Sequence, residues 1–349
     1  MKKKIVAFIS FFILIILMTI LVMCFKKDVV IKAENKLQIV ATLFPQYDFA
    51  KQIVGDKADV ELLISSGVET HNYEPTAQDM ILLLDNTDMF LYTGEYLEPW
   101  TTDIIENLEK SNCKIVDLSK NIELIKIDEF EERYINSEID NSHDHKHEDA
   151  EIHSEGNDDV QLDEYEAHVH SDSCEHADMY DGHIWQSPLN AIIMLENTLN
   201  AICKIDPENA EYYKQNAENY KNEILKLDQE IKTIVENAER KEIAVGGEFA
   251  YAYFVEEYDL KFVSVYTNCG HGEDPNIAKV KSVIDYINNH KIPVVFYEEL
   301  SEGTVAKMIA EETNAEAMVL YSIHNGNTNK DTYISLLQKN IENLKKGLK

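Results

Sequence analysis

One pattern of alternating strands and helices occurs twice along the chain, and this duplication constrains the fold more than any single motif. In residues 38–118 the pattern predicts strands at Gln38–Leu43, Val60–Ser65, Met89–Thr93 and Lys114–Leu118, with helices through Tyr47–Val54, Thr76–Leu84 and Trp100–Leu108. In the second half it predicts strands at Glu242–Gly246, Phe262–Tyr266, Pro293–Tyr297 and Ala317–Tyr321, with helices at Ala250–Glu257, Ile277–Asn288 and Val305–Glu312. Four strands and three crossovers per half imply an α/β fold of two lobes. Each lobe is a four-stranded, mostly parallel sheet with flanking helices. The apolar runs VVFY and MFLY suit strands buried on both faces. A length of 349 residues also fits two domains better than one core.

Between the halves, Asp206-Pro207 reads as an N-cap followed by proline at the first helical position. Apolar residues then recur at 213, 217, 220, 224, 227, 231 and 234, the spacing of one helical stripe. No glycine or proline interrupts Glu208 to Arg240, so a continuous helix of roughly 50 Å is expected there. The organisation is therefore a signal or anchor segment at 1–25, an N-terminal lobe at 37–203, a rigid linking helix at 204–240 and a C-terminal lobe at 241–349.

Charge narrows the partners. The chain holds 64 acidic and 32 basic residues, a formal net charge of −32. Such a polyanion has no surplus of Lys and Arg to neutralise phosphates, which argues against nucleic acid and toward cations. Residues 137–180 concentrate the pattern, with 15 acids, one base and seven histidines: His143, His145, His147, His153, His168, His170 and His176. Heavy charge without periodicity predicts a disordered loop, and its donors have the composition of weak, exchangeable metal sites.

The N-terminus reads as an export signal. Lys2 to Lys4 precede an apolar run from Ile5 to Phe25 that is broken only by Ser10 and Thr19. Leu21-Val22-Met23-Cys24 resembles a bacterial lipobox, in which Cys24 would carry lipid, although Met23 stands where Gly, Ala or Ser is preferred. The run is also long enough to remain as an uncleaved anchor. Either outcome places the rest outside the membrane. Cys113, Cys174, Cys203 and Cys269 remain there, with no pairing assignable.

Five further histidines are His71, His183, His271, His290 and His324. His71 and His324 follow predicted strands, and His183 precedes the helix opened by Ser187-Pro188. Ligands of parallel α/β sheets gather at the carboxyl ends of strands, so these three are expected to converge in one cleft. His290, at the far end of a helix, is read as structural. His271, beside Cys269, is an outlying candidate.

The motifs HNYEPT, GEYLEPW, HIWQSP and FAYAYF, in that order from about Leu37 to the C-terminus, resemble the metal-binding receptors of zinc and manganese ABC importers. The resemblance implies one metal ion held between two lobes. It implies His71 as first ligand and His183 as second, with DGH in place of the commoner DPH. Glu248 occupies the third ligand position, where zinc-type members usually have His and manganese-type members Glu. The fourth, commonly Asp after the final strand, falls near Tyr321-Ser322, and His324 is the substitute expected there. Asp274, in the EDPNIAKV segment, is read as a helix cap. A histidine-rich insertion before the second ligand is typical of zinc-type members.

Two or three imidazoles and a carboxylate suit Zn²⁺, with Mn²⁺ as the alternative cargo. The implied partners are an ABC permease and the outer face of the bacterial membrane, with the receptor a monomer. A surface adhesin stabilised by metal is the other class considered. An enzyme is not expected: His147-Glu148 leads to Glu151, not to the His of a zinc protease motif, and neither a nucleophile elbow nor a P-loop is present.

Overall fold

The computed structural model describes residues 36–68, 70–71, 73–134, 180–266 and 276–349. Residues 1–25 with Cys24, the seven loop histidines, Cys174, Cys269, His271 and Asp274 lie outside them. Two four-stranded sheets are present, in the orders β2-β1-β3-β4 and β6-β5-β7-β8. The strands are β1 (Leu37–Ala41), β2 (Ala58–Leu62), β3 (Met89–Tyr92), β4 (Lys114–Asp117), β5 (Glu242–Val245), β6 (Lys261–Ser264), β7 (Val294–Tyr297) and β8 (Glu316–Val319). Parallel pairing joins β1 to β3, β3 to β4, β5 to β6, β5 to β7 and β7 to β8. The identical strand order in both halves is the duplication read from the sequence.

Helices cover the sheets: α1 (Phe44–Val54), α2 (Ala77–Asp85), α3 (Thr101–Lys110), α4 (Ile127–Tyr134), α5 (Pro188–Ile205), α6 (Ala210–Glu236), α7 (Ala252–Glu257), α8 (Ile277–His290), α9 (Thr304–Glu311) and α10 (Tyr333–Gly347). One core gathers Val40, Leu83, Phe90, Ile104 and Leu108. Another gathers Ala244, Val263, Val283, Val295 and Ile309. The all-buried strands MFLY and VVF of β3 and β7 lie within these layers, as expected for central strands.

The linking helix differs from expectation at both ends. Pro207–Asn209 forms a 3-10 turn, and α6 runs 27 residues from Ala210, so its length is about 40 Å and not 50. The Asp206 side chain does not cap the helix; it accepts hydrogen bonds from Asn209 Nδ2, at 2.8 Å, and from the Tyr213 hydroxyl. At the other end Asn237 closes the helix, four residues before Lys241. The buried stripe follows Tyr213, Ala217, Tyr220, Ile224, Leu227 and Ile231 as predicted, then ends at Val235 in place of residue 234.

Helix α6 packs on α1, α5 and α10, and so touches both halves. Buried Asp48 of α1 makes the join polar. It accepts the Tyr220 hydroxyl of α6, the Tyr333 N–H that opens α10, at 2.9 Å, and Gln52 Nε2 at 3.0 Å. Burial raises the Asp48 pKa, and these donors oppose the rise. Helix α8 begins after Asn276, whose side chain accepts the Ala278 N–H. Among the described residues no helix is long and apolar enough to cross a membrane. Cys113 and Cys203 are free thiols.

Candidate metal centre

His71, His183 and His324 come together from three separate segments. Their ring centres are 5.1 Å apart for His71 and His183, 6.0 Å for His183 and His324, and 6.3 Å for His71 and His324. His183 and His324 are each 4% exposed. Among the described residues no group of three donors already has the geometry of a finished metal site. The separations give the reason. A circle through the three ring centres has a radius of about 3.4 Å. A Zn–N bond of about 2.0–2.1 Å, plus about 1.1 Å from nitrogen to ring centre, requires roughly 3.2 Å. The two radii differ by a few tenths of an ångström.

Outer partners hold the Nδ1 atoms of two of these rings. Asp181 Oδ1 lies 2.8 Å from His183 Nδ1 and accepts the His183 backbone N–H at 2.7 Å. A proton on Nδ1 leaves the Nε2 lone pair for a metal, and His183 Nε2 is buried with no hydrogen-bond partner. Burial would raise the Asp181 pKa, but the charge and hydrogen bonds of His183, and then the charge of His71, hold it below the ordinary carboxylate value. A second relay backs His324. Its Nδ1 is 3.0 Å from Ser322 Oγ, which donates to Glu299 Oε1 at 2.9 Å, while the Ser322 N–H donates to Glu299 Oε2 at 2.7 Å. Burial, followed by repulsion from His183 and His71, pushes the His324 pKa well below the ordinary imidazole value. Burial thus favours the neutral form of the His324 ring.

The motifs around the histidines hold their loops in place. Trp185 Nε1 donates to the Ser322 carbonyl at 2.8 Å, and Gln186 Nε2 donates to the same oxygen. Tyr333 returns a bond to the Trp185 carbonyl at 2.7 Å. Tyr253 donates to the Asp181 carbonyl at 2.7 Å, and Tyr251 to the Leu320 carbonyl. The tyrosines of FAYAYF thus brace the loops of His183 and His324 together. Tyr251 is consequently drawn out of the helix predicted to start at Ala250, and α7 begins at Ala252. Ile323, just before His324, has φ +60°, a left-handed conformation that a β-branched residue adopts only when its surroundings impose it.

Glu248 follows β5 and is half-buried, near enough to Glu298 for its charge to add to the rise in the Glu298 pKa that burial causes. The ring cluster itself comprises the three histidines. His290 stands apart at the end of α8, stacked on Tyr286 with ring centres 3.9 Å apart and 2.8 Å from Glu242 Oε2. Sequence reasoning missed Asp181 and Glu299 as functional groups. The only signal for Asp181 was its place two residues before His183 in DGH, and Glu299 carried no signal at all.

The protein-family description "zinc-uptake complex component A periplasmic" (ZnuA) matches residues 39–347. The high-affinity zinc uptake system protein ZnuA of Bacillus subtilis is 30% identical over 90% of this chain and 88% of its own length. The zinc-binding protein AdcA of Streptococcus pyogenes is 29% identical over 90% of this chain, which spans only 56% of that relative. The crystal structure of the metal-dependent lipoprotein YcdH from Bacillus subtilis superimposes with a TM-score of 0.68 at 29% identity, covering 90% of this chain and 99% of that one. With this match across both sheets and every segment that carries a clustered histidine, the chain belongs to the ZnuA family of zinc-uptake receptor components.

Proposed function

We infer that this protein is an extracytoplasmic zinc receptor that captures Zn²⁺ between its two lobes and delivers it to an ABC importer permease. The ligands of this reading are His71, His183, His324 and Glu248. The observation that carries it is the convergence of three imidazoles from distant segments, with His183 Nε2 buried and unpartnered and its Nδ1 tied to Asp181. Three imidazoles and one carboxylate match the donor preference of zinc in a four-coordinate site. The zinc named in the relatives supports the same cargo over manganese.

The ion is cargo, not a catalyst. Ligands on two lobes, with His183 and His324 buried, fit a site that traps an ion and gives it up when the lobes part. Residues 37–203, 204–240 and 241–349 serve as lobe, linker and lobe. The N-terminal segment, with Cys24 as lipid-bearing residue, would hold a monomeric receptor at the outer face of the membrane. The tract of His143, His145, His147, His153, His168, His170 and His176 would raise the local zinc concentration. Elemental analysis of purified protein, with competitive titration of zinc against manganese, tests the cargo. One tight zinc per chain, abolished in His71→Ala and in His183→Ala, is the expected result; retained tight binding in both variants refutes the site.

A further inference from the structure

The loop that leads to His71 is fastened to the loop that follows His324. Gly67, four residues before His71, donates its N–H to Asn325 Oδ1 at 2.9 Å, and Ser66 Oγ donates to the Gly326 carbonyl. These bonds join the first lobe to the second across 258 and 260 positions of sequence. The join is close. A Cβ built on Gly326 would lie 2.5 Å from Cε1 of Phe44, a residue that opens α1 and is 1% exposed. Gly67 adopts φ +89°, a conformation that side chains rarely tolerate, and this turns its N–H toward the opposite loop.

Asn325 itself is 7% exposed, and its Nδ2 is buried without a hydrogen-bond partner. An unmatched buried donor destabilises a fold, so stability alone would favour a residue without the amide. Its oxygen has a use across the cleft.

We propose that Asn325 is a positioning residue that latches the His71 loop to the His324 loop and thereby sets how fast zinc leaves the cleft. The proposal rests on the reading of His71, His183 and His324 as zinc ligands. Release of the ion requires the two loops to part, which draws Gly67 away from Asn325. Metal bonds and latch are broken in the same movement, so each slows the opening that would free the other. A single hydrogen bond of this kind is worth about a three- to tenfold change in such an opening.

The test uses the full chain loaded with zinc alone, with release followed by stopped-flow capture in excess chelator. Asn325→Ala should release zinc about three- to tenfold faster than the unmodified protein. Asn325→Asp keeps an acceptor for the Gly67 N–H and should release zinc no faster than the unmodified protein. Amide hydrogen exchange gives a readout that a scaffold role would not move: zinc should slow exchange at residues 65–68, and this slowing should vanish in Asn325→Ala. An unchanged release rate in Asn325→Ala overturns the latch while leaving the metal site standing. Equal acceleration in the Ala and Asp variants overturns it too, as does a lowered melting temperature of metal-free protein with release unaffected. His71→Ala and His183→Ala serve as parallel controls: tight binding retained in both overturns the site assignment, and the latch with it.

Discussion

Replacing Asp181 by Asn tests whether the charge behind His183 sets the affinity of the site. Both bonds to His183 converge on one oxygen, Oδ1, at 2.7 and 2.8 Å, and the aspartate side chain is 12% exposed. Asparagine keeps the shape and an oxygen acceptor but loses the charge. A hydrogen bond to a charged partner contributes about 1.5–3 kcal/mol and a neutral one about 0.5–1.5. The difference of about 1–1.5 kcal/mol corresponds to roughly tenfold weaker zinc binding. Asp181→Ala also frees the ring to turn or change tautomer, so its loss should approach the hundredfold end of the range seen for such outer partners. The bond from Tyr253 goes to the Asp181 carbonyl and survives both changes, which keeps the loop in place. Competition against a chromophoric chelator at pH 7.5 measures the affinity, and melting of the metal-free variants checks the fold. An Asn variant within twofold of the unmodified protein, alongside lost binding in His183→Ala, would refute the argument that this charge tunes the site.

Other groups make separate predictions. Glu98 is buried and its pKa is pushed up to about 7, by burial first and against the hydrogen bonds of Thr42, Thr93 and Gln46. Its folded pKa lies above the unfolded one, so the folded state holds a proton that the unfolded chain has lost between pH 4.5 and 7. The associated stability, about 3 kcal/mol, is present at low pH and disappears as pH rises through 7. Glu98→Gln should therefore gain in melting temperature over the unmodified protein by an amount growing to about 5 °C between pH 4 and pH 8; a constant difference would contradict the assignment. Asp48→Ala leaves the Tyr220 hydroxyl and the Tyr333 N–H buried without their acceptor, and should lower unfolding free energy by about 3 kcal/mol in a denaturant titration. Glu248→His should shift a zinc–manganese competition toward zinc, and an unchanged or reversed preference would remove Glu248 from the ligand set.

The duplicated architecture was legible because buried parallel strands and amphipathic helices have different hydrophobic periods, which short segments display without reference to the rest of the chain. Boundaries were less so. Helix α1 begins at Phe44, three residues before the start expected at Tyr47, because Leu43 offers no side-chain acceptor and Gln46 reaches back to the Leu43 N–H instead. The ladder continues past β2 through Leu63 and Ile64, whose N–H groups bond the carbonyls of Ala41 and Thr42, so the strand looked longer and later in sequence than it is. Helix α10 lay beyond the repeat and was not foreseen, although Thr332 caps it by accepting the Ser335 N–H.

Composition and local pattern alone determined the two α/β lobes, the helical stripe between them and three histidines beside elements able to present a ligand. Each of those depends on residues a few positions apart. Only the tertiary structure decided that the three rings face one another, that Asp181 and the Ser322–Glu299 pair orient two of them, and that Asn325 meets Gly67 across the cleft. Those relations join segments up to 258 positions apart. They follow from how two sheets and their loops pack in space, and no period along the chain encodes them.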